Sequence, residues 1–125
     1  MPAKKTTKPK VELVSIDEIR KIALSFPGVT EGRSYGTTGF HVGSHLIARM
    51  KEEGDVLVVR VQDGYRDVLV SIDSTTYFFT EHYRDYPMVL VRLNRIGLDA
   101  LTDLIEQAWK CVAPKKSIRA FEVRE

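Results

Sequence analysis

At 125 residues the chain is about one domain, since compact domains peak near roughly 100–150 residues and a second core is excluded. With 43% hydrophobic and 29% charged residues and a single cysteine, the composition excludes a disordered, collagenous or disulfide-stapled chain and any multi-cysteine zinc site. The net charge of +2 includes four lysines within residues 1–10 (Lys4, Lys5, Lys8 and Lys10), so taking them away leaves the rest at −2, unlike a domain that grips duplex by bulk charge. Residues 1–13 read as a solvated basic tail without apolar partners. Runs such as Val56 to Val59 fall far short of the ~20 residues of a spanning helix, and no apolar segment follows the first lysines, so a cytoplasmic address is expected.

The first predicted element starts at Ser15-Ile16-Asp17-Glu18, where Ser15 and Glu18 form a capping box and Val14 meets Ile19 as a hydrophobic staple. Ile16, Ile19, Ile22, Ala23 and Phe26 recur at helical spacing, and Pro27-Gly28 stops the helix. Pro27 to Thr38 reads as a loop. The period then switches to two, and Gly39 to Val42, Leu46 to Lys51 and Val56 to Val61 read as an antiparallel meander with turns at Gly43-Ser44 and Glu52-Glu53-Gly54-Asp55. Asp63 is placed to cap a short helix whose Tyr65, Val68, Leu69 and Ile72 share a face, closed by Asp73-Ser74. Thr75 to Thr80 suits a strand by residue type and a loop by its flanks. Met88 to Asn94 is a further strand. Leu98, Leu101, Leu104, Ile105, Ala108, Trp109 and Val112 trace the longest helix, with Asp99 and Asp103 near its start, Lys110 near its end and Ala113-Pro114 closing it. The order α-β-β-β-α-β-α predicts an α+β fold, a small antiparallel sheet with helices packed on one face, over residues 14–116, with 117–125 as a C-terminal extension.

Several local signatures, in this order, resemble the MmcQ/YjbR family. They are Pro27-Gly28-Val29-Thr30-Glu31-Gly32, Tyr35-Gly36, Gly39-Phe40-His41-Val42-Gly43, Phe78-Phe79, His82-Tyr83-Arg84-Asp85-Tyr86-Pro87, Val89-Leu90-Val91-Arg92-Leu93 and Ala108-Trp109. The resemblance implies a frataxin-like (CyaY-like) fold and a DNA-binding role, and it brings no catalytic residues with it. Two positions depart from the family pattern: Tyr35 stands where many members have Trp, and Ser44 and His45 follow the hairpin glycine where many have Lys.

Strand alternation places Phe40, Val42, Leu46, Ala48, Met50, Leu57, Val59, Val61, Val89, Val91 and Leu93 on a helix-covered side. The opposite side then carries His41, Arg49, Lys51, Arg60, Arg92 and Asn94, interrupted by Ile47, Val58 and Leu90, with no carboxylate among them. Cations without acids on an open face make a local positive field whose commonest ligand is phosphate, so DNA or another nucleic acid is the expected partner. The same residues also suit plain solvation of an open sheet. A second patch, His82, Tyr83, Arg84 and Tyr86, crowds a loop with groups that stack on bases or hold a small anion, or that simply cover the sheet edge with Asp85 pairing Arg84.

No enzyme is expected. His41, His45 and His82 complete no zinc pattern, and Cys111 beside Trp109 and Val112 reads as an inert thiol. Asp17 and Glu18 interleave with Arg20 and Lys21, and Glu52, Glu53 and Asp55 lie in a turn, so no iron-binding acidic ridge forms. No metal or other cofactor is implied.

Overall fold

A computed structural model describes residues 13–124, so the four tail lysines lie outside the described residues. The chain runs α1 (Ile16–Leu24), β1 (Val29–Ser34), β2 (Thr37–Val42), β3 (His45–Met50), β4 (Val56–Arg60), α2 (Tyr65–Ile72), β5 (Tyr77–Phe78), a short 3-10 helix (Glu81–Tyr83), β6 (Met88–Arg92), α3 (Leu98–Val112) and α4 (Lys115–Arg124). The strands form one sheet in the order β1-β2-β3-β4-β6-β5, every pair antiparallel. The α+β architecture expected from the sequence is present, with two more strands and one more helix.

Local chemistry sets α1 as expected. The Ser15 side chain accepts the Glu18 amide at 3.1 Å, Glu18 takes the Ser15 amide at 3.0 Å, and Val14 and Ile19 are both buried in the core. Ser15→Ala is expected to cost about 1 kcal/mol, read as a lower urea midpoint at constant slope. No change at all would show that the helix is held by packing alone.

Pro27 to Thr38 is not a loop. It contains β1 and the start of β2, an exposed edge hairpin that alternation of apolar residues does not reveal because Thr30, Glu31, Gly32 and Arg33 are polar or lack a side chain. Its two-residue turn is Tyr35-Gly36, with φ of 55° and 82°, the type I′ geometry that matches strand twist.

A β-bulge corrects the face assignment. Phe40 pairs with Ala48 and His41 with Leu46, so Ile47 is the extra residue. One extra residue inverts alternation. Ile47 is therefore fully buried in the main core, and Leu46 packs on the opposite face.

The helical layer covers one face. Ile19, Ala23, Leu101, Ile105, Ala108 and Trp109 meet Phe40, Ala48, Leu57, Val59, Val89 and Val91 there. Residues 117–124, read as part of an extension, belong to α4, whose Phe121 ring lies 5.2 Å from Trp109 and 5.4 Å from Phe26. Trp109 Nε1 donates to the Pro27 carbonyl at 2.8 Å, which satisfies the one polar atom of the largest buried ring.

Helix α2 departs from its predicted form. Gly64 in the left-handed region, not Asp63, occupies its N-cap, and only Leu69 is buried while Tyr65, Val68 and Ile72 stay exposed. The Thr75 to Thr80 segment resolves into the two-residue edge strand β5.

Candidate functional site

The register brings three of the sequence-predicted cations together. Arg49 lies opposite Val58, Arg60 opposite Met88 and Arg92 opposite Val56, so on the face away from the main core all three surround Val58. His41 sits on this face as well, its ring edge beside Gly39 and the Leu46 side chain. Lys51 leaves the set. It lines a separate groove of about 420 Å³ with Arg33, Thr37 and the start of α1.

The face is not uncovered, which corrects the central expectation from alternation. Tyr83, Met88, Leu90 and Val58 form a second, smaller core, closed over by the segment of the 3-10 helix. Arg49 is consequently only 5% exposed. Its Nε and Nη2 donate to the Tyr83 hydroxyl at 3.2 and 3.0 Å, and Nη1 donates to Thr37 Oγ1 at 3.0 Å and the Met50 carbonyl at 3.3 Å. None of these partners is a carboxylate. A buried cation held by neutral oxygens alone retains an outward positive field that an ion pair would cancel.

Arg60 and Arg92 are half-buried. Arg60 Nε donates to the Leu46 carbonyl at 2.7 Å, and Arg92 lies 4.0 Å over the Phe78 ring with the Ser74 and Thr75 carbonyls beside it. Among the described residues no ion pair to either is formed. Burial pushes the Cys111 thiol up, with the Arg60 charge acting the opposite way, as suits an unreactive sulfur.

The Arg49–Tyr83 bond also joins the two patches that the sequence left separate. Tyr83 is buried as a packing residue, but His82 stacks on Tyr86 at 6.0 Å and meets Tyr83 edge-on at 4.7 Å, and Tyr86 is 54% exposed. Arg84 pairs with Glu81 at 2.8 Å rather than with Asp85, and that guanidinium holds the Glu81 carboxyl below its usual range. On the far side Arg49 lies 5.1 Å from the Tyr35 ring. Tyr35 is 80% exposed.

Tyr35 and Arg66 carry roles that sequence reasoning missed. Tyr35 holds a positive φ that side-chain-bearing residues rarely adopt, at a turn position where Asn is preferred. Tyr35→Asn is expected to raise stability by up to about 1 kcal/mol, measured by thermal unfolding, because strain relief outweighs one exposed ring contact. A clear loss would mean that the ring supports the fold. The signal available was the aromatic-Gly dipeptide between Ser34 and Thr37. Arg66, one residue of an amphipathic helix, gave no signal, yet its guanidinium donates to the carbonyls of Tyr83, Arg84, Tyr86 and Met88 and lies 4.0 Å over Phe79.

That clamp shapes a cleft of about 260 Å³ between the start of α2 and the 84–87 turn, lined by Arg66, Arg84, Tyr86 and the carboxylates of Asp63, Asp67 and Asp85. Among the described residues no group of His, Cys, Asp or Glu is arranged to hold a metal ion. Nor is any helix there long and apolar enough to cross a membrane.

These features define a small α+β protein with a bulged antiparallel sheet, helices on one side and a looped-over second face. The YjbR family model matches residues 24–111, and the chain belongs to that family. It is 44% identical over 69 residues to uncharacterized proteins of Mycobacterium tuberculosis and Mycobacterium bovis, a stretch covering 54% of this chain and 54% of theirs, so it matches about half the length of these curated relatives. The crystal structure of Deinococcus radiodurans protein DR2400, which carries a DUF419 domain, superposes with a TM-score of 0.70 over 86% of this chain and 84% of that one, at 16% identity. That likeness is one of fold.

Proposed function

We propose that the chain is a non-catalytic nucleic-acid-binding module whose contact surface is the second face of the sheet. The observation that carries this reading is the Arg49–Tyr83 centre, a buried cation without a carboxylate partner, bordered by exposed rings on two sides. Arg49 acts there through its field and by fixing Tyr83. Direct phosphate contacts fall to the more accessible Arg60 and Arg92, which form no ion pair among the described residues, with His41 beside them. The DNA-binding role that the sequence resemblance implies points the same way.

The test is an anisotropy titration of the full chain against labelled oligonucleotides over a salt series. Two phosphate contacts predict a slope of log affinity on log salt of about −1.5 to −2. A variant with Arg60 and Arg92 changed to Gln is expected to flatten that slope and weaken binding. A second variant with Lys4, Lys5, Lys8 and Lys10 changed to Gln separates the tail from the domain. Absence of binding at low salt, or binding lost only with the tail lysines, overturns the proposal.

The cleft beside Arg84 and Tyr86 favours a second reading, a protein-interaction or small-ligand module without catalysis. Its three carboxylates oppose the small anion that the loop sequence suggests, and a cationic or neutral polar group fits better. Saturable binding of a basic peptide that Asp63→Asn and Asp67→Asn abolish, with no affinity for oligonucleotides, would place the function there.

A further inference from the structure

From the placement of the exposed rings we infer that the second face selects unpaired nucleotides over duplex. The inference rests on the nucleic-acid reading above and names the form of the ligand. Tyr35 stands at one border of the Arg49–Tyr83 centre, and the stacked His82 and Tyr86 rings stand at the other. All three are exposed, so the face offers two π-surfaces separated by a buried cation. One side of the Tyr35 ring is engaged by Arg49, which holds the ring without covering it. A ring so exposed on a left-handed residue lacks a packing explanation, and backbone strain of this kind collects at binding sites.

Stacking platforms of this kind need bases whose faces are free. In a duplex those faces are already stacked, and only groove edges and phosphates are presented, which calls for a helix or ribbon lined with cations. Here the guanidinium groups carried by the sheet are recessed instead. Arg49 is buried, Arg60 is tied to a backbone carbonyl and Arg92 lies over Phe78. The rings therefore stand further into solvent than the cations behind them. A flexible strand can place its bases on the rings and its phosphates back toward the arginines, whereas a rigid duplex meets the rings first.

The experiment compares labelled oligodeoxyuridylate, oligouridylate and a mixed-sequence duplex of equal length on the full chain at one salt concentration. Either single strand is expected to bind at least about ten-fold tighter than the duplex, and the stronger of the two identifies the sugar. Tyr35→Asn, which keeps the turn geometry, and Tyr86→Ala are each expected to weaken single-strand binding about ten-fold and leave duplex affinity within two-fold, the loss of about one stacked base. Ring-proton resonances of Tyr35 and Tyr86 should shift on adding the single strand. Equal affinity for duplex, or single-strand binding unmoved by both substitutions, overturns this inference while leaving the broader reading intact. Absence of binding to all three removes both.

Discussion

Tyr83→Phe is expected to lower stability by about 2–3 kcal/mol, far more than deleting one oxygen costs at an ordinary site. The hydroxyl accepts from both Nε and Nη2 of Arg49, and both residues are buried. Removing it strands two N–H groups of a cation in an apolar setting among Val58, Met88 and Leu90, where no carboxylate compensates. The double variant Arg49→Met/Tyr83→Phe discriminates this cause from simple packing loss. Replacing both partners by apolar groups of similar size is nearly neutral in principle, so the double variant should be more stable than Tyr83→Phe alone. Urea unfolding of wild type, both single variants and the double variant measures the cycle. A Tyr83→Phe change within about 0.5 kcal/mol of wild type would show that water reaches the guanidinium.

The same pair explains why the architecture was legible in the sequence and the site only partly so. The capping box at Ser15 and Glu18, the 3.6-residue stripe of α3 and the Val-rich strands β4 and β6 are local patterns, and local patterns survive into the fold. The edge strand β1 was invisible because it is paired on one side only and has little apolar alternation to display. The Leu46 and Ile47 assignments inverted because a bulge is a one-residue event that periodicity cannot register. Alternation groups Arg49, Arg60 and Arg92 on the face around Val58 but adds Lys51, which lines a separate groove. What alternation could not supply was the cover, since Tyr83 reaches Arg49 across 34 residues of sequence. Two patches that look unrelated along the chain thus become one centre.

The cover itself hangs on Arg66, and Arg66→Met is the substitution expected to release it. The 83–88 segment presents four carbonyls to α2, and although those of Tyr83 and Tyr86 also accept amides within the segment, only the Arg66 fork joins all four, from Tyr83, Arg84, Tyr86 and Met88, at 2.9 to 3.2 Å. Methionine keeps an unbranched stem but offers neither a donor nor the cation that lies over Phe79. Several charge-assisted bonds disappear together, and because part of the segment is solvent-exposed, water replaces some of them, so a loss of about 2 kcal/mol is expected. Arg66→Lys should recover less than half of it, since one ammonium cannot match the planar fork that spans four acceptors. The distinctive readout is local. Amide exchange at Tyr83, Tyr86 and Met88, whose N–H groups donate to the carbonyls of Thr80, Tyr83 and Tyr86, should accelerate in Arg66→Met while the amides of β3 and β4 keep their protection. Uniform acceleration across the sheet would mean that Arg66 supports the whole fold rather than the cover. If the cover carries the site, oligonucleotide affinity should fall in Arg66→Met as well, because the His82 and Tyr86 rings lose their fixed position relative to Arg49 while every residue of the proposed contact surface is still present.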